Sequence, residues 1–149
     1  MRYTEPRTEG DKALLEYLDW HFTLPNVKLP PFFTRLREEG AFYTPQPLPK
    51  RYRLGTPRNC YEDAALLALD SRRLTYVEGY AMSIFPVPHA WCVDPQGRVV
   101  DKTWAAVDAA FPTNRSNLAY FGLEIPDGAL YAALHKNKVY GVFANGGLA

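Results

Sequence analysis

The turn Asp94-Pro95-Gln96-Gly97, set between two β-prone runs, constrains this chain more than any other stretch. Aspartate bonds its own backbone, proline presets one dihedral angle, and glycine accepts a left-handed one, so the four residues close a hairpin. His89 to Val93 and Arg98 to Thr103 are therefore expected to pair as antiparallel strands. A further strand, Thr75 to Met82, precedes them. Alternation puts its Tyr76, Glu78, Tyr80 and Met82 on one face and Val77, Gly79 and Ala81 on the other. Upstream of these strands Asn59 suits an N-cap, and Tyr61 to Leu69 reads as a helix. Ala64, Ala65 and Ala68 let that helix pack closely. The stretch from Asn59 to Trp104 thus predicts an α+β fold, a helix carrying Cys60 packed on a small antiparallel sheet.

The same alternation selects the chemistry. His89 and Trp91 share a face, while Ala90 and Cys92 point the other way, so Cys60 rather than Cys92 is the thiol expected at His89. Counting outward from the turn brings His89 close to Asp101, within one residue of register. Asp94 is the rival carboxylate, but the turn is its natural place. A thiol, an imidazole and a carboxylate form the set that a cysteine nucleophile needs. The thiolate attacks, the imidazole moves the proton, and the carboxylate fixes the imidazole's tautomer. A helix start favours a thiolate at Cys60, while Glu62 and Asp63 in the first turn partly oppose it. The Cys60 backbone N–H is one natural oxyanion donor. Asn59, Gln46, Tyr43 and Tyr61 are candidates for a second.

The rest of the chain frames this stretch. Its 149 residues fit a single domain over 1–149. Residues 1–10 are expected to lie loosely on the surface. Leu14, Leu15, Leu18 and Phe22 recur at helical spacing from Asp11 to a stop before Pro25. Pro30-Pro31 opens a second helix, Phe32 to Glu39, closed by Gly40. Pro45, Pro47, Pro49 and Pro57 make residues 41–58 an extended connection, either a plain surface linker or one wall of a substrate cleft. Beyond Trp104 the expected elements are a short helix over Ala105 to Phe111 and a loop over residues 112–117. A strand over Tyr120 to Ile125, a helix over Asp127 to His135 and a last strand over Val139 to Phe143 follow, before a flexible tail from Asn145. His21 and His135, each near a helix C-terminus, suit structural roles.

Composition narrows the function. A net charge of +1 argues against nucleic acid or a membrane surface as the main partner. No long apolar run or leader pattern is present, so the expected location is cytosolic. Two cysteines make a poor disulfide framework, and no close Cys/His cluster suggests a metal. No cofactor is implied.

Cys60 on a helix, Gly79-Tyr80, His89-Ala90-Trp91 and Val100-Asp101-Lys102-Thr103-Trp104, in that order, resemble the transglutaminase-like core of the papain-like cysteine superfamily. The likeness covers about a third of the chain. Lys102 stands where that family often has proline, and nothing matches the calcium sites or extra β-domains of animal transglutaminases. The resemblance implies Cys60 as nucleophile, His89 as general base and acid, Asp101 as the orienting carboxylate, and Trp91 as a core or cleft-wall residue. It implies acyl transfer from an amide of a protein or peptide substrate, in a family that includes proteases, deamidases, amidases and cross-linking enzymes. Hydrolysis is favoured, since nothing marks a second, amine-binding pocket. Small stand-alone versions resemble bacterial and phage proteins. The alternatives are a catalytically silent binding protein on the same fold, such as a phage or bacterial inhibitor of a host protein, and a purely structural role for both side chains.

Overall fold

The structure, a computed structural model, describes residues 2–110 and 117–143. In chain order its elements are α1 (Glu9–His21), α2 (Pro31–Glu39), β1 (Ala41–Phe42), α3 (Cys60–Asp70) and β2 (Thr75–Met82). There follow β3 (Pro86–Val93), β4 (Val99–Val100), α4 (Lys102–Ala110), β5 (Ala119–Ile125) and α5 (Asp127–Asn137). The fold class is α+β. The loop expected at 112–117 lies mostly, and the tail from Asn145 wholly, outside the described residues.

The sheet order is β1-β5-β2-β3-β4, and every neighbouring pair is antiparallel. Alternation sorts its side chains as the sequence requires. Tyr76, Tyr80, Met82, Ala90, Cys92, Phe121 and Leu123 face a main core with Leu14 and Leu18 of α1, Leu36 of α2, Ala64, Ala65 and Ala68 of α3, and Leu130 of α5. Val77, Ala81, Trp91, Val93 and Tyr120 face a second, smaller cluster joined by Trp104. The alanines bring α3 so close to β3 that the Cys92 thiol donates to the Ala64 carbonyl at 3.1 Å.

Four expectations change. The strand after the turn is only Val99–Val100, and the chain enters α4 at Lys102, because the Asp101 carboxylate caps that helix by accepting from the Trp104 N–H at 3.0 Å. The first helix starts at Glu9 rather than Asp11. Thr8 is its N-cap, and Asp11 completes a capping box that also accepts from the Tyr3 hydroxyl at 2.9 Å. Tyr3 in turn pairs with Phe42 at the sheet edge, so residues 2–10 are tied down rather than loose.

Val139 to Phe143 is not a strand. Buried Glu78 holds its end instead, accepting from the Val142 and Phe143 N–H groups at 2.8 Å each and from the Tyr76 hydroxyl at 2.7 Å. Alternation puts Glu78 among apolar side chains, and the Tyr76 hydroxyl and a distant backbone satisfy it there. Glu78→Gln replaces an acceptor oxygen with a donor facing backbone donors. It is expected to cost about 2–3 kcal/mol in urea unfolding. A midpoint unchanged from the parent would show that this contact holds nothing.

Candidate active site

Two helix starts and one strand make the site. β4 pairs with only Cys92 and Val93, which leaves the edge of β3 without a ladder partner from Trp91 back to Pro86. The start of α3 and the segment before it come in at that open edge. The Gly55 N–H donates to the Lys102 carbonyl at 3.0 Å. Asp63, in the first turn of α3, accepts from the Thr56 N–H at 2.9 Å and from the Thr103 hydroxyl at 2.5 Å. The element carrying Cys60 is thus bolted to the one that follows Asp101.

His89 is 2% exposed and hydrogen-bonds through Nε2 to Asp101 Oδ2 at 2.7 Å. Tyr120 donates to the same oxygen at 2.9 Å. With the Trp104 N–H on Oδ1, the carboxylate collects three donors and is anchored from three elements. The imidazole lies 4.5 Å, centroid to centroid, from the Trp104 ring and 5.9 Å from the Trp91 ring, stacked on the latter. The half-buried Cys60 thiol is among the groups that raise the pKa of the same imidazole. Cys92 lies on the other sheet face, and both thiols are free.

Burial alone would lower the His89 pKa, but the Asp101 charge and hydrogen bond, with a smaller push from Cys60, raise it from 6.5 to about 9. Burial would likewise raise the Asp101 pKa, but the His89 charge and the three donors hold it below 3.8. The raised imidazole contributes stability that is complete below pH 6.5 and is lost as pH climbs through about 9. The lowered carboxylate contributes stability that is complete above pH 3.8 and is lost in stronger acid. The pair is therefore at full strength between those two limits. Its imidazole half corresponds to about 3 kcal/mol. Asp101→Asn is expected to destabilise the fold, and its gap from the parent should narrow by about 3 kcal/mol between about pH 6 and about pH 10. A gap that stays constant in urea melts at the two pH values would contradict the ion pair.

The remaining candidates divide. Asn59 is the exposed N-cap residue, but its side chain makes no capping bond, so it does not play the cap role expected of it. Gln46 follows Thr44, which bridges Arg98 in parallel, so the chain runs on beside β4 in the direction of Asp101. Its Nε2 is buried without a hydrogen-bond partner. Tyr43 is 1% exposed and engaged by Arg2 and Glu124, which removes it from the site. Tyr61 packs against the main core, where burial and then the Glu78 charge raise its pKa. Trp91 is 1% exposed and stacks on His89, so of its two expected places it takes the core and not the cleft wall. Tyr120 and Thr103 were not singled out as site residues. Each acts through one hydroxyl from an element whose sequence shows only its core pattern.

No protein-family model matches the chain, and no curated protein or solved structure does. Among the described residues no group of three or more His, Cys, Asp and Glu side chains could hold a metal ion, and no helix is long and apolar enough to cross a membrane.

Proposed function

We propose that the protein is a cysteine-dependent acyl-transfer enzyme that hydrolyses an amide of a peptide or protein, on a transglutaminase-like variant of the papain-like core. The observation that carries this reading is the buried His89–Asp101 hydrogen bond, with the Cys60 thiol among the groups that raise the imidazole pKa. Such a pair matters more for chemistry than for folding, since a well-packed apolar pair would serve a core equally well. A raised imidazole pKa supports a resting thiolate–imidazolium pair.

In the proposed cycle the Cys60 sulfur attacks the carbonyl carbon, and the carbonyl π pair moves onto oxygen. The Cys60 backbone N–H and an amide such as that of Gln46 or Asn59 receive this charge. Such donors are typically worth about 2.7–4 kcal/mol each. Collapse breaks the C–N bond, and the amine leaves with the proton from His89. A thioester remains. His89, now neutral, takes a proton from water as its oxygen attacks the thioester. Collapse of that adduct expels the thiolate and frees the acid. Asp101 holds the ring in orientation throughout, and Trp91, Trp104 and Tyr120 keep bulk water from it.

Incubation with a mixed peptide pool, read by mass spectrometry, tests this. New cleavage or deamidation products are expected with the parent and not with Cys60→Ala or His89→Ala. Equal product from the variants would sink the reading.

A second reading, a silent binding protein, is favoured by a different feature. A groove of about 390 Å³ between α3 and α5 is lined by Leu66, Leu69, Tyr131, Leu134, Val139 and Tyr140, with His135 and Lys138 beside them and no cysteine or carboxylate among its lining residues. This reading expects a Cys60 no more reactive than a free cysteine.

A further inference from the structure

Between Glu39 and Glu62 the sequence has no acidic residue, while Lys50, Arg51, Arg53 and Arg58 all fall in that interval. All four are exposed, and among the described residues none is paired with a carboxylate. Arg51 rests over the Tyr52 ring at 4.9 Å from its centroid. The strap is pinned at its end nearest the nucleophile. Gly55 bonds the Lys102 carbonyl, Thr56 bonds Asp63, and the Asn59 N–H donates to the Thr56 carbonyl at 3.1 Å. At Gly55 a Cβ would stand 2.1 Å from the Asp63 carboxylate, so the approach is close.

The charges opposing the strap are few. Asp63 is occupied by Thr56 and Thr103, which leaves Glu62 as the carboxylate free on the first turn of α3. Lys102, next to Asp101, adds to the positive side. Arg58 also has a φ of 73°, a left-handed conformation that glycine would adopt without strain. A long cationic side chain occupies that strained position, immediately before Asn59 and Cys60.

We propose that the strap over residues 50–58 recognises carboxylates on either side of the attacked amide, which makes the substrate an acidic peptide segment. This rests on the amide-cleaving reading above. A nucleic acid would also meet the charge, but its backbone offers no amide to the thiol. The exposed Leu54 between Arg53 and Gly55 adds an apolar contact suited to a peptide side chain.

The test needs no identified substrate. Cys60 is alkylated with neutral iodoacetamide and with anionic iodoacetate, and the rate ratio is compared with that of N-acetylcysteinamide. Reading the ratio within each protein cancels changes in intrinsic thiol reactivity. The parent is expected to favour iodoacetate relative to the small thiol. An Arg53→Gln/Arg58→Gln variant should lower that preference about fourfold, at about twofold per cation at low ionic strength. Roughly 0.5 M salt should erase most of it. A glutamate-rich dodecapeptide should protect Cys60 from iodoacetamide, and a lysine-rich one should not. A thiol inert to iodoacetamide would remove both this proposal and the reading beneath it. A reactive thiol whose ratio is unchanged in the double variant overturns the strap alone. So does protection by an oligodeoxynucleotide with none by the acidic peptide.

Discussion

His89→Ala is expected to slow iodoacetamide labelling of Cys60 most at low pH, where the parent's imidazole is protonated. In the proposed mechanism the protonated imidazole favours the attacking form of the sulfur. At about pH 5 the variant should react at least about tenfold more slowly. The factor is smaller than the change in thiolate fraction, because a stabilised thiolate is also a weaker nucleophile. Asp101→Asn should give an intermediate profile, since the raised His89 pKa owes more to Asp101 than to any other partner. Cys92, fully buried on the opposite face, should stay unlabelled in the folded protein and serves as an internal reference. Identical profiles for parent and His89→Ala would mean that the imidazole does not act on the sulfur.

Gly79→Ala should be the most damaging small substitution in the sheet. Gly79 stands opposite Gly122 of β5 on one side and His89 of β3 on the other. A Cβ there would come within 2.2 Å of the Phe121 carbonyl oxygen and 2.5 Å of the Gly122 Cα. Both are backbone atoms of a central strand, so relief requires β2 and β5 to separate. The expected cost is about 3–5 kcal/mol. In a chain of this size that lowers Tm by about 10 °C. Gly128→Ala is the matched control, since nothing lies within 4 Å of its added methyl. Because Gly79 pairs with His89, the damage should also reach the thiol, and labelling at low pH should slow. A Tm within about 2 °C of the parent would show that the strands accommodate the methyl, against the stiffness expected of a packed interior.

The sequence exposed the parts of this site that depend on short-range pattern. Strict alternation from His89 to Val93 separated the imidazole from Cys92, and the Asp-Pro-Gln-Gly turn brought Asp101 within reach. Asp101 itself was read as a strand residue because Val99, Val100 and Thr103 are β-formers. Its use as a helix cap wins, since the Trp104 N–H has no acceptor within its own helix. What stayed hidden depends on distant segments. Tyr120 donates to Asp101 across 19 positions of sequence, and the backbone at Val142 and Phe143 satisfies Glu78 across 64 and 65. No local period encodes such bonds. The fate of Tyr43 was equally invisible, since it turns on Arg2 and Glu124, far apart in the chain.

The strand order has a temporal corollary during biosynthesis. β5 sits between β1 and β2, so the ribosome finishes the thiol, the imidazole and the carboxylate before the strand that joins the sheet's two halves has been made. Until Tyr120 emerges, Asp101 lacks one of its three donors and β2 has an open flank. A nascent chain is therefore expected to complete the sheet, and the full set of donors to Asp101, only when translation has passed β5.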